Sequence, residues 1–133
     1  MRFFLGTHHP VWLKRTDKDL FVSDRQLRDR RSFPRALGEW ALDSGGFTEL
    51  QKFGGWVTTT PAEYVARARR YSEEIGGLVW IAPQDYMCEP FIIHGGQVGE
   101  VKFAGTGLSK REHLHRTVGN LLDLRSLAPE AAA

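Results

Sequence analysis

The sequence predicts an α/β fold built on parallel strands, and three observations carry that expectation. Short apolar runs alternate with helix-like segments, and such alternation implies parallel pairing through crossovers. One run, Leu78 to Pro83, is continuously apolar, as a strand covered on both faces reads. Three runs stop at stretches rich in polar groups or glycine: GTHHP, DSGGF and PQDYMCEP. In parallel α/β folds these strand ends share one face, where active sites are built. Two architectures fit, an open doubly wound sheet and part of a barrel of eight βα units.

The elements follow in order. RFFLGTH is apolar up to Gly6 and reads as strand one. Leu20 to Ser23 is strand two. Ser23 with Gln26 three residues on forms a capping-box pattern, so a helix is expected to start there and to end by Pro34 and Gly38. EWALDS is strand three. TTPAEYVARARRYSEEIGG is the clearest helix: Thr60 stands at N-cap, Pro61 at the first helical position and Glu63 at the reciprocal capping position. Tyr64, Val65, Ala68, Tyr71 and Ile75 recur on one face, and Gly76 and Gly77 end it. Leu78 to Pro83 is strand four. In FIIHGGQVGEVKFAG, residues 91–105, two β-prone runs flank a glycine-rich turn, which suggests a hairpin insertion, either a lid or a segment without a role. A last helix spans about Ser109 to Leu127, with Leu114, Val118, Leu121, Leu122 and Leu124 as its apolar set.

At 133 residues the chain makes one domain, 1–133, with enough length to bury a core. No apolar run is long enough to span a membrane, and the start is too short for a signal peptide, so a cytoplasmic location is expected. The single cysteine, Cys88, excludes an internal disulfide and a multi-cysteine zinc site. The net charge is only +2, but Asp24 to Arg35 holds Arg25, Arg28, Arg30, Arg31 and Arg35. Arginine forks pair with phosphates, so the run can track a nucleic-acid backbone. The plainer reading is a solvated helix face with Asp24 and Asp29 in local ion pairs. No G-x-G-x-x-G follows the first strand, which argues against a dinucleotide fold.

LDSGGFTEL poses the sharpest question: an acid, a hydroxyl and two glycines follow directly on an apolar run. Gly45 and Gly46 permit positive φ or close approach to a ligand, and Phe47 is an aromatic where a loop tip is normally polar. Either this is a binding loop, or Asp43 or Ser44 caps a helix. Asp43 and Asp85, at the ends of strands three and four, are expected near one mouth, where two carboxylates can divide labour, one ionised and one protonated. Phe47 offers a flat surface, and Asp85 can accept two hydrogen bonds, as from the N–H groups of a guanine edge. The alternative is that Asp85 caps a turn after Pro83 and that Tyr86, Met87 and Cys88 only pack. Cys88 has no histidine obviously paired with it.

LDSGGF and APQDYMCEP, in this order and at these strand ends, resemble the tRNA-guanine transglycosylase superfamily. Together with FFLGTHHPVWL, LFVSDRQL and TTTPAEYVARARRY, from about Phe3 to Pro129, they more specifically resemble its DNA-directed branch, the phage and bacterial enzymes that insert deazapurines into DNA. The resemblance implies a (β/α)8 barrel, of which this chain holds roughly the first four βα units. It implies base exchange: an enzyme carboxylate attacks the sugar carbon, guanine leaves and a deazaguanine base takes its place. By the same resemblance Asp43 transfers the proton, Ser44, Gly45 and Gly46 form the loop against the base, Phe47 stacks on it and Asp85 reads its edge. Arg25, Arg28 and Arg31 are the candidates for nucleic-acid contact. Tyr86 and Met87 separate Asp85 from Cys88 where the tRNA enzymes carry one residue.

The family's nucleophilic aspartate and zinc site belong to the second half of the barrel. No cofactor is therefore expected within residues 1–133. The expectation is an amino-terminal half-barrel from a truncated gene or a split protein. It would be completed by a partner chain or by self-association, with DNA and a deazaguanine base as ligands. Competing readings are a tRNA-acting enzyme, a non-catalytic purine-binding fragment and a hydrolytic N-glycosidase using Asp43 and Asp85.

Overall fold

A computed structural model describes residues 1–131. Four strands, β1 (Leu5–Thr7), β2 (Leu20–Ser23), β3 (Trp40–Asp43) and β4 (Leu78–Ile81), form one parallel sheet in the order β1-β2-β3-β4. The order has no reversal, so the chain is not wound outward in two directions as in a doubly wound sheet. Leu20, Val22, Trp40, Leu42 and Ile81 are buried on one sheet face, beneath Leu13, Leu27, Tyr64, Tyr71 and Leu124. The other face carries Phe4, Phe21 and Trp80, with ring centroids 5.7 Å and 5.4 Å from the tryptophan. Residue alternation along a strand produces this division. A register shift opposite Trp40 and Ala41 interrupts it between β3 and β4.

Helix α3 (Pro61–Glu74) forms as its sequence predicts. Thr60 accepts from the Glu63 amide and Glu63 returns a bond to the Thr60 amide, closing a capping box. Tyr64, Val65, Ala68, Tyr71 and Ile75 are all buried.

Three elements differ from the sequence expectation. The helix after Ser23, α1 (Asp24–Leu27), is a single turn and ends well before Pro34. After Leu27 the sequence offers no apolar residue one turn on, so nothing holds a longer helix to the core. The arginine run therefore lies mostly outside a helix. Second, Phe91 to His94 is not a strand but lies in α4 (Pro90–His94), with Pro90 in its first turn, and the hairpin is confined to β5 (Gly96–Val98) and β6 (Val101–Phe103).

Third, the long last helix, α5 (Lys110–Leu127), is rotated relative to its predicted apolar set. Leu124 is buried, but Leu114, Val118 and Leu122 face outward. The inward positions are His113, Thr117, Asn120 and Leu124, and the first three bond polar main chain. The stretch after DSG, open in the sequence between a binding loop and the start of a helix, enters a helix, α2 (Gly46–Phe53).

Candidate functional site

Parallel pairing brings Ser23 and Asp43 into register as the last residues of β2 and β3. The chain then turns at Gly45, whose φ of 79° lies in the left-handed region, and enters α2 at Gly46. Neither Asp43 nor Ser44 caps that helix through its side chain: Gly45 is the N-cap and makes no such bond. The two glycines are each required by space. A Cβ on Gly45 would lie 2.6 Å from the Arg25 side chain. A Cβ on Gly46 would lie 2.8 Å from Asp85 Oδ1, 2.9 Å from the Trp56 ring and 3.3 Å from the Met87 methyl. Gly46 is thus the point where the strand-three loop meets the strand-four loop.

Ser44 is 3% exposed, and its Oγ is a buried side-chain polar atom without a hydrogen-bond partner among the described residues. Such atoms are rare in folded proteins and call for an explanation. Phe47, in the first turn of α2, is 50% exposed. Its ring stands edge-on to Phe103, 6.0 Å between centroids.

Both acids of the mouth are held above the ordinary carboxylate range. For Asp43 burial is the main cause and the Asp24 charge adds to it, while the amides of Gly45 and Ser44 bond the carboxylate and pull the other way. Asp85 is also raised chiefly by burial, then by the charges of Asp43 and Glu89. The charge of Asp43 thus reaches Asp85, which places the two carboxylates at the same end of the sheet.

The loop carrying Asp85 is held at every residue from Gln84 to Met87. Asn120 donates to the Gln84 carbonyl at 2.7 Å, and Trp56 Nε1 donates to the Asp85 carbonyl at 2.9 Å. The Tyr86 amide donates to Thr117 Oγ1 at 2.8 Å. His113 Nδ1 lies 2.9 Å from the Met87 carbonyl, which can only accept, so Nδ1 carries the proton. Nε2 then accepts from the Thr106 hydroxyl at 2.6 Å. No sequence pattern marks these four side chains, because each bonds the main chain of a segment distant in sequence. Cys88 is half-buried, its sulfur 3.9 Å from the Tyr86 carbonyl, and the nearby His113 is engaged elsewhere.

Two further acids are buried: Glu49, which the sequence does not single out, and Asp24, which is expected in a local ion pair on a solvated face but is enclosed and paired with the distant Arg67. Glu49 accepts from the Val57 and Thr58 amides, the Thr58 hydroxyl and Arg25 Nη1. Asp24 accepts from Arg67, at 2.6 Å for the shortest contact, and from the Tyr71 hydroxyl at 2.7 Å. Of the arginine run, Arg25 and Arg28 are half-buried, whereas Arg30, Arg31 and Arg35 are exposed. Arg25 pairs with Glu49, Arg28 reaches Thr59 Oγ1 at 3.3 Å, and Arg35 bonds the Glu73 and Glu74 carbonyls. Arg30 bonds the Ser32 carbonyl, and Arg31 is exposed.

Among the described residues no three histidine, cysteine, aspartate or glutamate side chains gather to hold a metal, and no helix is long and apolar enough to cross a membrane. The ends of two consecutive parallel strands and the segments that follow them thus bring two raised carboxylates, an unpartnered hydroxyl and an exposed ring to one end of the sheet. The family model of DpdA, DeoxyPurine in DNA protein A, matches residues 1–133, and the chain belongs to that family. Its role, at the level of the family, is in deazapurine modification of DNA. No curated protein and no solved structure matches the chain.

Proposed function

We propose that residues 1–133 supply the base pocket of a (β/α)8 transglycosylase that exchanges guanine in DNA for a 7-deazaguanine base. The observation that carries the pocket is Ser44 Oγ, buried and unpartnered in the turn between Asp43 and Gly46, the glycine that approaches Asp85. A base lying on Phe47 gives that hydroxyl a partner and presents its N–H edge to Asp85. The sequential, all-parallel order of the four strands supports the barrel.

In the exchange the bond from the sugar carbon to guanine N9 breaks as a bond to an enzyme carboxylate forms. The incoming base then displaces that carboxylate. Asp43, held above the usual carboxylate range, is suited to give a proton to the leaving guanine and to take one from N9–H of the incoming base. The attacking carboxylate is, by resemblance to the tRNA-guanine transglycosylases, an aspartate of the second half of the barrel. Engagement of Arg25 and Arg28 inside the fold leaves Arg31 as the arginine of the three best placed for phosphate.

Calorimetry with free guanine tests the pocket. Ser44→Ala removes a hydroxyl with no partner in the fold, so thermal stability should hold or rise while guanine binding weakens up to about tenfold. Phe47→Ala should cost ~1–3 kcal/mol of binding through lost stacking. Asp85→Asn should weaken guanine more than hypoxanthine, which lacks the exocyclic amine. Loss of stability in Ser44→Ala with unchanged guanine affinity would refute the pocket.

A further inference from the structure

The β5–β6 hairpin presents an apolar face beside the pocket that the base reading leaves unused. Val98 pairs with Val101 and Gly96 with Phe103. Opposed and alternate residues share a face, so Val98, Val101 and Phe103 lie together while Gln97 and Lys102 lie on the other side. The turn is two residues, Gly99 and Glu100, with Gly99 at φ 60°, the geometry of a tight hairpin. Phe91, on α4, is 48% exposed and lies 5.7 Å from Phe103, tilted by 34°. Phe103 in turn meets Phe47, so the rings form one row leading to the base pocket.

This hairpin is anchored at its base. The Ala104 amide donates to the Gln51 carbonyl and Gln51 Nε2 to the Lys102 carbonyl, both at 2.9 Å, which ties β6 to α2. The Thr106 and Gly107 amides bond the Ile92 and Ile93 carbonyls of α4. Its position relative to Phe47 is thereby set. Lys52 and Lys102, both exposed, stand on the two elements that carry Phe47 and Phe103.

We propose that the face formed by Phe91, Phe103, Val101 and Val98 receives the DNA bases left unpaired when a guanine is turned out toward Asp43 and Asp85. This rests on the base-exchange reading. A base inside a duplex is enclosed by its neighbours, and enzymes that do chemistry on it take it out of the stack. Extrusion bares the faces of the adjoining bases and leaves the opposite base without a partner. Aromatic side chains accept any base, since every base has a π face, and apolar side chains wedge between unstacked steps in other DNA-bending proteins.

The probes are two labelled duplexes, one fully paired and one with a single unpaired guanine, together with free guanine. The wild-type chain is expected to bind the unpaired-guanine duplex about tenfold more tightly than the paired one. Phe91→Ala and, separately, Val101→Ser should each erase most of that preference while free-guanine affinity, which also reports an intact fold, stays unchanged. Retention of the full preference by both variants would overturn the assignment, as would a wild type with no preference. If Phe91→Ala instead abolishes self-association in sedimentation and leaves DNA preference intact, a second copy covers this face and the assignment fails. A wild type that discriminates the duplexes without binding free guanine would refute the base pocket alone.

Discussion

Asp85 is a half-buried acid whose carboxylate touches the space above Gly46 and whose main chain is fixed by Trp56. Its ionised form is held at a cost, because burial and the charge of Asp43 both favour the protonated state. The linkage has a definite sign. A carboxyl raised above the ordinary value of about 3.9 contributes its full stability only below that pH and loses it as pH rises through the folded value. Asp85→Asn removes the charge and keeps the shape. At pH 7 the variant should therefore be more stable than the wild type, by about 1 kcal/mol, and the difference should vanish toward pH 4. Thermal melts of both proteins at several pH values check this; a variant less stable than the wild type at pH 7 would show that Asp85 is a structural anion. That Asp43 ends one strand and Asp85 follows the next was legible in the sequence because parallel topology dictates where strands end, whereas the placing of Gly46 and Phe47 in a helix was left open there. The orphaned state of Ser44 was not legible, since it depends on what fails to approach it.

At the scale of elements, α3 was readable to the residue because its signals are local: a cap, a proline and one apolar stripe, all within the segment. The stripe on α5 misled for the opposite reason. Leu114, Val118 and Leu122 have helical spacing, yet the face turned inward is His113, Thr117 and Asn120, whose partners are main-chain groups of residues 84–87. A polar face is buried here because it satisfies a loop that has no sheet or helix of its own. Thr117→Val keeps the side-chain shape and removes the acceptor of the Tyr86 amide. The buried amide then lacks a partner, and the fold should lose about 1–2 kcal/mol. Amide hydrogen exchange at Tyr86 should become faster while exchange across β2 and β3 follows only the global change. Unaltered exchange at Tyr86 would mean that α5 does not fix the loop. The arginine run shows the same limit of local reading: Glu49, buried and distant in sequence, decides where Arg25 points, and Asp24 pairs with Arg67 of α3 rather than with an arginine of the run.

For the molecule as a whole, the unequal covering of its surfaces is decisive. The sheet has two edges, β1 and β4, and neither pairs with another strand among the described residues. Phe3 and Leu5 stand exposed along the first and Val79 along the second. The outward leucines and valine of α5 add a third apolar surface, and hollows border all three regions, at Leu5 and Trp12, at Leu78 and Trp80, and at Leu114 and Leu122. Unpaired parallel edges offer rows of N–H and C=O groups to any strand that approaches, and the usual protections, charge or proline on the edge, are absent at Leu5 and Val79. Contiguous exposed apolar surface of this kind marks interaction sites. The 133-residue chain on its own is therefore expected to self-associate at micromolar concentration. Sedimentation velocity across a concentration series reads it directly. Leu114→Glu with Leu122→Glu should move the distribution toward monomer if the helix face is the contact, and Leu5→Lys should do so if the β1 edge is. These sites lie outside the base pocket, so guanine affinity should stay constant in both. A wild-type chain that sediments as a monomer at every concentration would show that these surfaces are tolerated in water, and the case for a covering partner would fall with it.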